Sequence, residues 1–222
     1  MSDLAPPLTR QQRKTQKSTN ALLEAAADLI VEGGFAALTF AAIGERAGYS
    51  RGMVTARFGN KDGLIEALID RIVTTWSHKN VEPHTKGRDG LESLDTVLSA
   101  IEAQATKDPR GLRVLYSLMF EAVGSDDDMV RRFAKFHEGM RADFSRYIRR
   151  GQRDGSIRTG GPSPDREAEL IIGGLRGVGF QWLLDPGAFD PVKALSYLRS
   201  TTLDRLQPEP VSSTPKDRKN QR

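Results

Sequence analysis

The stretch from Thr39 to Phe58, TFAAIGERAGYSRGMVTARF, restricts this chain more than any other. It reads as two short helices joined by a tight turn. Thr39 stands where its hydroxyl can cap a first helix over Phe40 to Arg46. Gly48 supplies a left-handed turn residue, and Ser50 caps a second helix reaching about Arg57. Phe40, Ile43 and Ala47 share one face of the first helix, and Met53, Val54 and Phe58 one face of the second. At roughly two turns each, neither is stable alone, so both must pack on something larger. Gly44, inside the first helix, costs about 1 kcal/mol against alanine and is expected to let the two helices cross closely.

A pair of this kind is a helix-turn-helix, in which the second helix enters the DNA major groove with its first residues toward the base edges. The expected DNA contacts are Thr39, Tyr49, Ser50, Arg51, Gly52, Thr55 and Arg57. Lys61, beside the free amides of the next helix start, and Arg13 and Lys17, in a basic run before the pair, suit phosphates. The net charge is only +4, with an isoelectric point near 9.4, so the placing of the cations matters more than their sum.

The rest of the chain reads as helical throughout. A first helix spans about Arg13 to Glu32, with Leu22, Ala25, Ala26, Leu29 and Ile30 in one stripe; a fourth runs from Asn60 to about Lys79. The polar, Pro- and Gly-containing stretch at 78–90 reads as a linker. Five further helices follow, opening near Leu91, Asp108, Asp126, Ser163 and Asp190. The expectation is an all-α fold of about nine helices in two domains. A three-helix DNA-binding domain with the helix-turn-helix occupies 12–78, and a larger helical domain for ligand binding and dimerisation 88–206. Residues 1–11 and 207–222 are expected to be a disordered arm and tail.

With 222 residues, 38% of them hydrophobic, the chain can bury a core. It has no cysteine, which excludes disulfides, thiolate metal sites and cysteine nucleophiles and is compatible with a reducing cytoplasm. No apolar leader and no run near ~20 apolar residues is visible, so a soluble cytoplasmic protein without membrane association is expected. His78 and His84 flank Glu82 but lack further ligands nearby, and no metal or cofactor is expected. No nucleophile–base ordering, paired-carboxylate motif or phosphate loop supports an enzyme.

Gly33-Gly34-Phe35, AIGERAGYSRGMVTARFGNK and Lys61-Asp62-Gly63-Leu64 resemble the DNA-binding domain of the TetR family of bacterial regulators over roughly Arg13 to Trp76. That resemblance implies a sequence-specific regulator, a repressor acting as a homodimer on a palindromic double-stranded operator and released by a small, largely apolar inducer. It also implies that the last two helices pair with a partner's, which assigns Gly173, Gly174, Gly177, Val178, Leu195 and Leu198 to the dimer interface. The Met and aromatic set on the sixth, seventh and eighth helices gives the inducer residues the resemblance implies: Tyr116, Met119, Phe120, Phe136, His137, Met140, Phe144 and Trp182. One departure stands out. Thr55 and Arg57 occupy positions where the family usually carries a tyrosine and an aromatic or histidine. That keeps open an alternative, a helical ligand-sensing adaptor without DNA binding.

Overall fold

In the computed structural model, which describes residues 9–74, 77–78, 81–124, 127–161 and 163–208, every regular element among the described residues is helical. The helices are α1 (Arg10–Gly33), α2 (Phe40–Ala47), α3 (Arg51–Phe58), α4 (Lys61–Ile69), α5 (Glu82–Thr85), α6 (Gly90–Lys107), α7 (Pro109–Val123), α8 (Asp127–Asp154), α9 (Pro164–Leu184) and α10 (Pro191–Leu206).

Side-chain caps set most of the starts. Thr39, Ser50, Asn60, Asp89, Asp108 and Asp190 each accept a hydrogen bond from an amide of the turn they open. Thr9 and Gln12 form a reciprocal capping box, so α1 begins at Arg10, three residues before its apolar periodicity suggests. Residues 10 and 11 therefore belong to a helix and not to an arm. The helix expected to run unbroken from Asn60 is α-helical only to Ile69 and loosens into a π-helical turn at Asp70–Thr74. The expected linker contains α5. Residues 1–8 and 209–222, and Trp76, lie outside the described residues.

Two apolar cores follow from the helical stripes. In the first, Leu22, Ala26 and Ile30 of α1 meet Ile43 of α2, Val54 of α3, and Leu64 and Leu68 of α4. The same core continues through Val114, Leu118 and Met119 of α7 to Phe133 of α8. The helix pair thus closes against α1, and α1 in turn packs against α7. The second core joins Leu94 and Leu98 of α6, Phe144 and Ile148 of α8, Ile171 and Leu175 of α9, and Leu195 and Leu206 of α10. Each of the larger of these side chains contributes about 1.5–3 kcal/mol through burial. Glu167, 1% exposed, is paired with Arg205 at 2.7 Å and pins α9 to α10.

Polar ties bind the two halves. Glu24 of α1 accepts from Arg71 of the π-helical turn and from Arg110 of α7, and Arg110 also bonds Asp28. One carboxylate therefore joins the scaffold of the helix pair, the turn after α4, and a wall helix of the second half.

Candidate DNA-reading surface and ligand cavity

The geometry of the helix pair begins with Gly44. It is buried, and a Cβ added there would stand 2.7 Å from the Tyr49 carbonyl oxygen, so α2 and the start of α3 touch through backbone. Gly48 takes φ +75°, ψ +30°, the left-handed conformation that turns the chain between them. The Ser50 hydroxyl then accepts from the Met53 amide at 3.2 Å, and α3 starts. Val54 faces inward and is fully buried, which fixes the roll of α3. Tyr49, Ser50, Arg51, Gly52 and Thr55 consequently lie on its exposed side. Thr39 caps α2 at 3.2 Å with an exposed side chain, and Arg13 and Lys17 are exposed along the first half of α1.

Arg57 is placed differently from the others. It is half-buried and reaches back to α1, donating to the Thr19 hydroxyl at 2.6 Å, the Ser18 hydroxyl at 3.3 Å and the Thr15 carbonyl at 3.2 Å. Its guanidinium ties α3 to the scaffold. The i, i+3, i+4 array of Thr15, Ser18 and Thr19 on an otherwise exposed helix surface was the available signal for this. Lys61 also folds inward: its ammonium lies 3.6 Å from the Phe35 ring centroid and 3.4 Å from the Phe35 carbonyl, and burial there holds its pKa below the ordinary lysine value. Glu32 and Arg46 join α1 to α2 at 2.7 Å; chiefly through that bond, the carboxyl of Glu32 stays below its usual range.

The second half encloses a cavity of about 350 Å³. Ile72 and Val73 of the π-helical turn, Val97 and Ile101 of α6, Leu112, Leu115 and Tyr116 of α7, Phe136, Met140 and Phe144 of α8, and Leu175 and Arg176 of α9 form its wall. Of the expected inducer residues, Tyr116, Phe136, Met140 and Phe144 come together here. His137 stands behind the wall, its Nε2 accepting from Arg176 Nε at 2.9 Å. Met119 is buried in the first core. Phe120 is 39% exposed and tilts against Phe180 at 4.9 Å, and Trp182 lies under Arg113 at 5.9 Å; neither ring is in the wall. Arg176, Ile72 and Val73 escaped the sequence reading because arginine does not belong to an apolar stripe and the turn was expected to be plain α-helix.

The glycines of α9 serve two separate purposes. A Cβ at Gly174 would come within 2.8 Å of Leu198, and one at Gly179 would overlap the Tyr116 ring; both admit neighbours of the same chain. Leu195 is buried, and it and Leu198 pack in the second core, with Val178 half-buried against it. Gly173 and Gly177 meet nothing within 4 Å. Thus Gly174, Leu195 and Leu198, assigned above to a subunit interface, have packing roles inside the chain.

The fold therefore sets a helix-turn-helix reader on a helical body that holds a mostly apolar cavity. Residues 22–68 match the model of bacterial regulatory proteins of the tetR family, and residues 91–207 match that of the BetI-type transcriptional repressor C-terminal domain. The chain belongs to the TetR family and is a DNA-binding transcriptional regulator. It is 26% identical over 209 residues to the HTH-type transcriptional regulator TtgR of Pseudomonas putida, covering 91% of this chain and 97% of that protein. It is also 26% identical over 211 residues to the probable regulator ArpR of Pseudomonas putida, again covering 91% and 97%. SmeT, the repressor of the Stenotrophomonas maltophilia multidrug efflux pump SmeDEF, shares the fold at TM-score 0.73 and 23% identity over 88% of this chain and 93% of that one. Among the described residues no helix is long and apolar enough to cross a membrane.

Proposed function

We propose that the protein is a homodimeric repressor that holds a palindromic operator and lets go when a small, largely apolar molecule fills the cavity. In this reading residues 12–78 form the DNA-binding domain and 88–206 the ligand-binding and dimerisation domain, and the dimer works in the cytoplasm. Tyr49, Ser50, Arg51, Gly52 and Thr55 face base edges, while Thr39, Arg13 and Lys17 meet phosphates. Arg57 and Lys61 hold α3 and the α4 start in position. The observation that carries the reading is the roll of α3: with Val54 wholly buried, Ser50, Arg51, Gly52 and Thr55 lie exposed on its opposite side. Repression is supported by likeness to SmeT and to NalD of Pseudomonas aeruginosa, each a repressor of a multidrug efflux pump. Release is a population shift: the ligand favours a dimer whose reading helices no longer match the operator spacing.

The test is binding to a palindromic fragment from the protein's own promoter, titrated against salt. A specific complex should form, with log affinity falling steeply with log salt and a slope of several units. Equal affinity for scrambled DNA would refute a palindromic operator in that promoter.

A further inference from the structure

The wall of the cavity holds a cation that the chain leaves without a counter-charge. Arg176 donates from Nε to His137 Nε2 at 2.9 Å, from Nη1 to the Tyr116 hydroxyl at 3.3 Å and from Nη2 to the Met140 sulfur at 3.0 Å. All three acceptors are neutral. The Tyr116 hydroxyl gives its own proton to the Leu175 carbonyl, and His137 must be unprotonated at Nε2 to accept. Burial, followed by the neighbouring guanidinium groups of Arg176 and Arg141, lowers the pKa of that imidazole. The rings of Tyr116 and Phe136, 5.5 and 5.6 Å from the guanidinium carbon, offset the charge only in part.

Other arginines of this half are treated otherwise. Arg149 has Asp165 at 2.6 Å, Arg199 has Asp95 at 2.6 Å, and Arg205 has Glu167 at 2.7 Å. Among the described residues no carboxylate lies within ion-pair reach of Arg176. The acids around the cavity are engaged elsewhere, Glu82 with His78 at 2.8 Å and Asp143 with Arg146 at 2.7 Å. A guanidinium carries five N–H donors; the three assigned leave one on each Nη.

We propose that the ligand of this cavity is a small organic carboxylate, its anion on the unassigned Nη–H groups of Arg176 and its apolar body against Ile101, Leu112 and Phe144. The proposal rests on the reading of the cavity as the effector site. A half-buried cation without a partner gains most from an anion that arrives with its own apolar cover, and a carboxylate matches the planar fork. A neutral molecule of the same shape fills the cavity and leaves the charge uncompensated. Lys135, exposed at the same wall and without a carboxylate partner among the described residues, adds attraction for an anion.

N-phenyl-1-naphthylamine, a neutral dye that brightens in apolar sites, serves as the reporter on the full-length protein near neutral pH. Naphthalene-2-carboxylate and naphthalene-2-carboxamide, nearly equal in shape, then compete for it. The acid should displace the dye at a concentration lower by about tenfold or more, since the amide can accept from the guanidinium but brings no opposite charge and no second acceptor oxygen. Arg176→Met should erase that advantage while dye binding persists, and Arg176→Lys should keep part of it. An amide that equals the acid, or an acid advantage that survives Arg176→Met, overturns the carboxylate and leaves the cavity reading standing. If the dye does not bind, the cavity reading falls and the carboxylate with it.

Discussion

At the scale of single residues, Arg57 changes meaning once α1 lies beside it. By charge and position in the motif it groups with Arg51 among the DNA contacts; in space its guanidinium holds Thr19, Ser18 and Thr15. The two arginines should therefore fail differently. Arg51→Ala should weaken operator binding by about 1–3 kcal/mol and relax discrimination at one base position. Arg57→Ala should lower affinity for all operator variants alike, and Thr19→Val should reproduce part of the loss. The double variant should fall short of the sum, because the two residues share one interaction. Binding to a panel of single-base operator variants decides the matter: base-selective loss on Arg57→Ala would make it a reader after all. His137 gives a second prediction. In the unfolded chain it protonates near pH 6.5, whereas in the fold burial and Arg176 depress its pKa. The unfolded state then binds more protons as pH falls through that range, so the native state loses stability on acidification and keeps it in full above. The carboxyls held low, such as Glu32 and Asp165, act only below their ordinary values near pH 4. Melting temperature followed from neutral pH toward pH 5 should drop in the wild type and drop less in His137→Gln; equal slopes would remove His137 from the account.

At the scale of elements, the turn after α4 connects cavity and reader. Ile72 and Val73 face the cavity, and Arg71 beside them holds Glu24 of α1, which Arg110 of α7 also holds. A ligand that displaces the π-helical turn must pull on α1, and α1 grips α3 through Arg57. Glu24→Gln leaves the apolar contacts of α1 in place but weakens two charge-assisted bonds. It should reduce the factor by which ligand lowers operator affinity, a factor typically worth ~1–3 kcal/mol. Operator titrations with and without ligand measure it, and an unchanged ratio in Glu24→Gln would locate the transmission elsewhere. These same elements show what was legible in the sequence. Thr39, Ser50, Asn60 and Asp108 act on amides within a few residues and Gly48 turns the backbone where it stands, so the helix pair and its starts could be read locally. Glu24 meets Arg71 and Arg110 across 47 and 86 residues, and no local pattern marks such a pairing. The π-helical turn was equally hidden, since Ile65, Leu68, Ile69 and Ile72 keep an ordinary helical stripe through it. The cavity was half legible: Tyr116, Phe136, Met140 and Phe144 showed as apolar positions, but no helix stripe says which of its members face a void and which face a core.

At the scale of the whole molecule, the outer side of α9 is an unpaired seam. Leu170, Gly173, Gly177, Phe180 and Leu184 recur at alternating spacings of three and four. Its large members are 58%, 44% and 70% exposed for Leu170, Phe180 and Leu184, with Tyr197 of α10 at 72%. Such a stripe on a single chain suits a second helix packed along it, and the two open glycines would let that helix approach closely. Gly174 and Gly177 thereby become opposite tests. Leucine at Gly174 would collide with Leu198 inside the chain, so Gly174→Leu should lower thermal stability by about 1–3 kcal/mol as an overpacked core does. A Cβ at Gly177 meets nothing within 4 Å in the protomer, so Gly177→Leu should leave helix content unchanged and act chiefly on the partner. The expected result for Gly177→Leu, and more strongly for the pair Gly177→Leu with Leu184→Glu, is a scattering mass that shifts toward the monomer. Operator affinity should fall with it, because one α3 reaches only half of a palindrome. A dimer that persists in the double variant would place the partner on another face, and the seam of α9 would then need a different occupant.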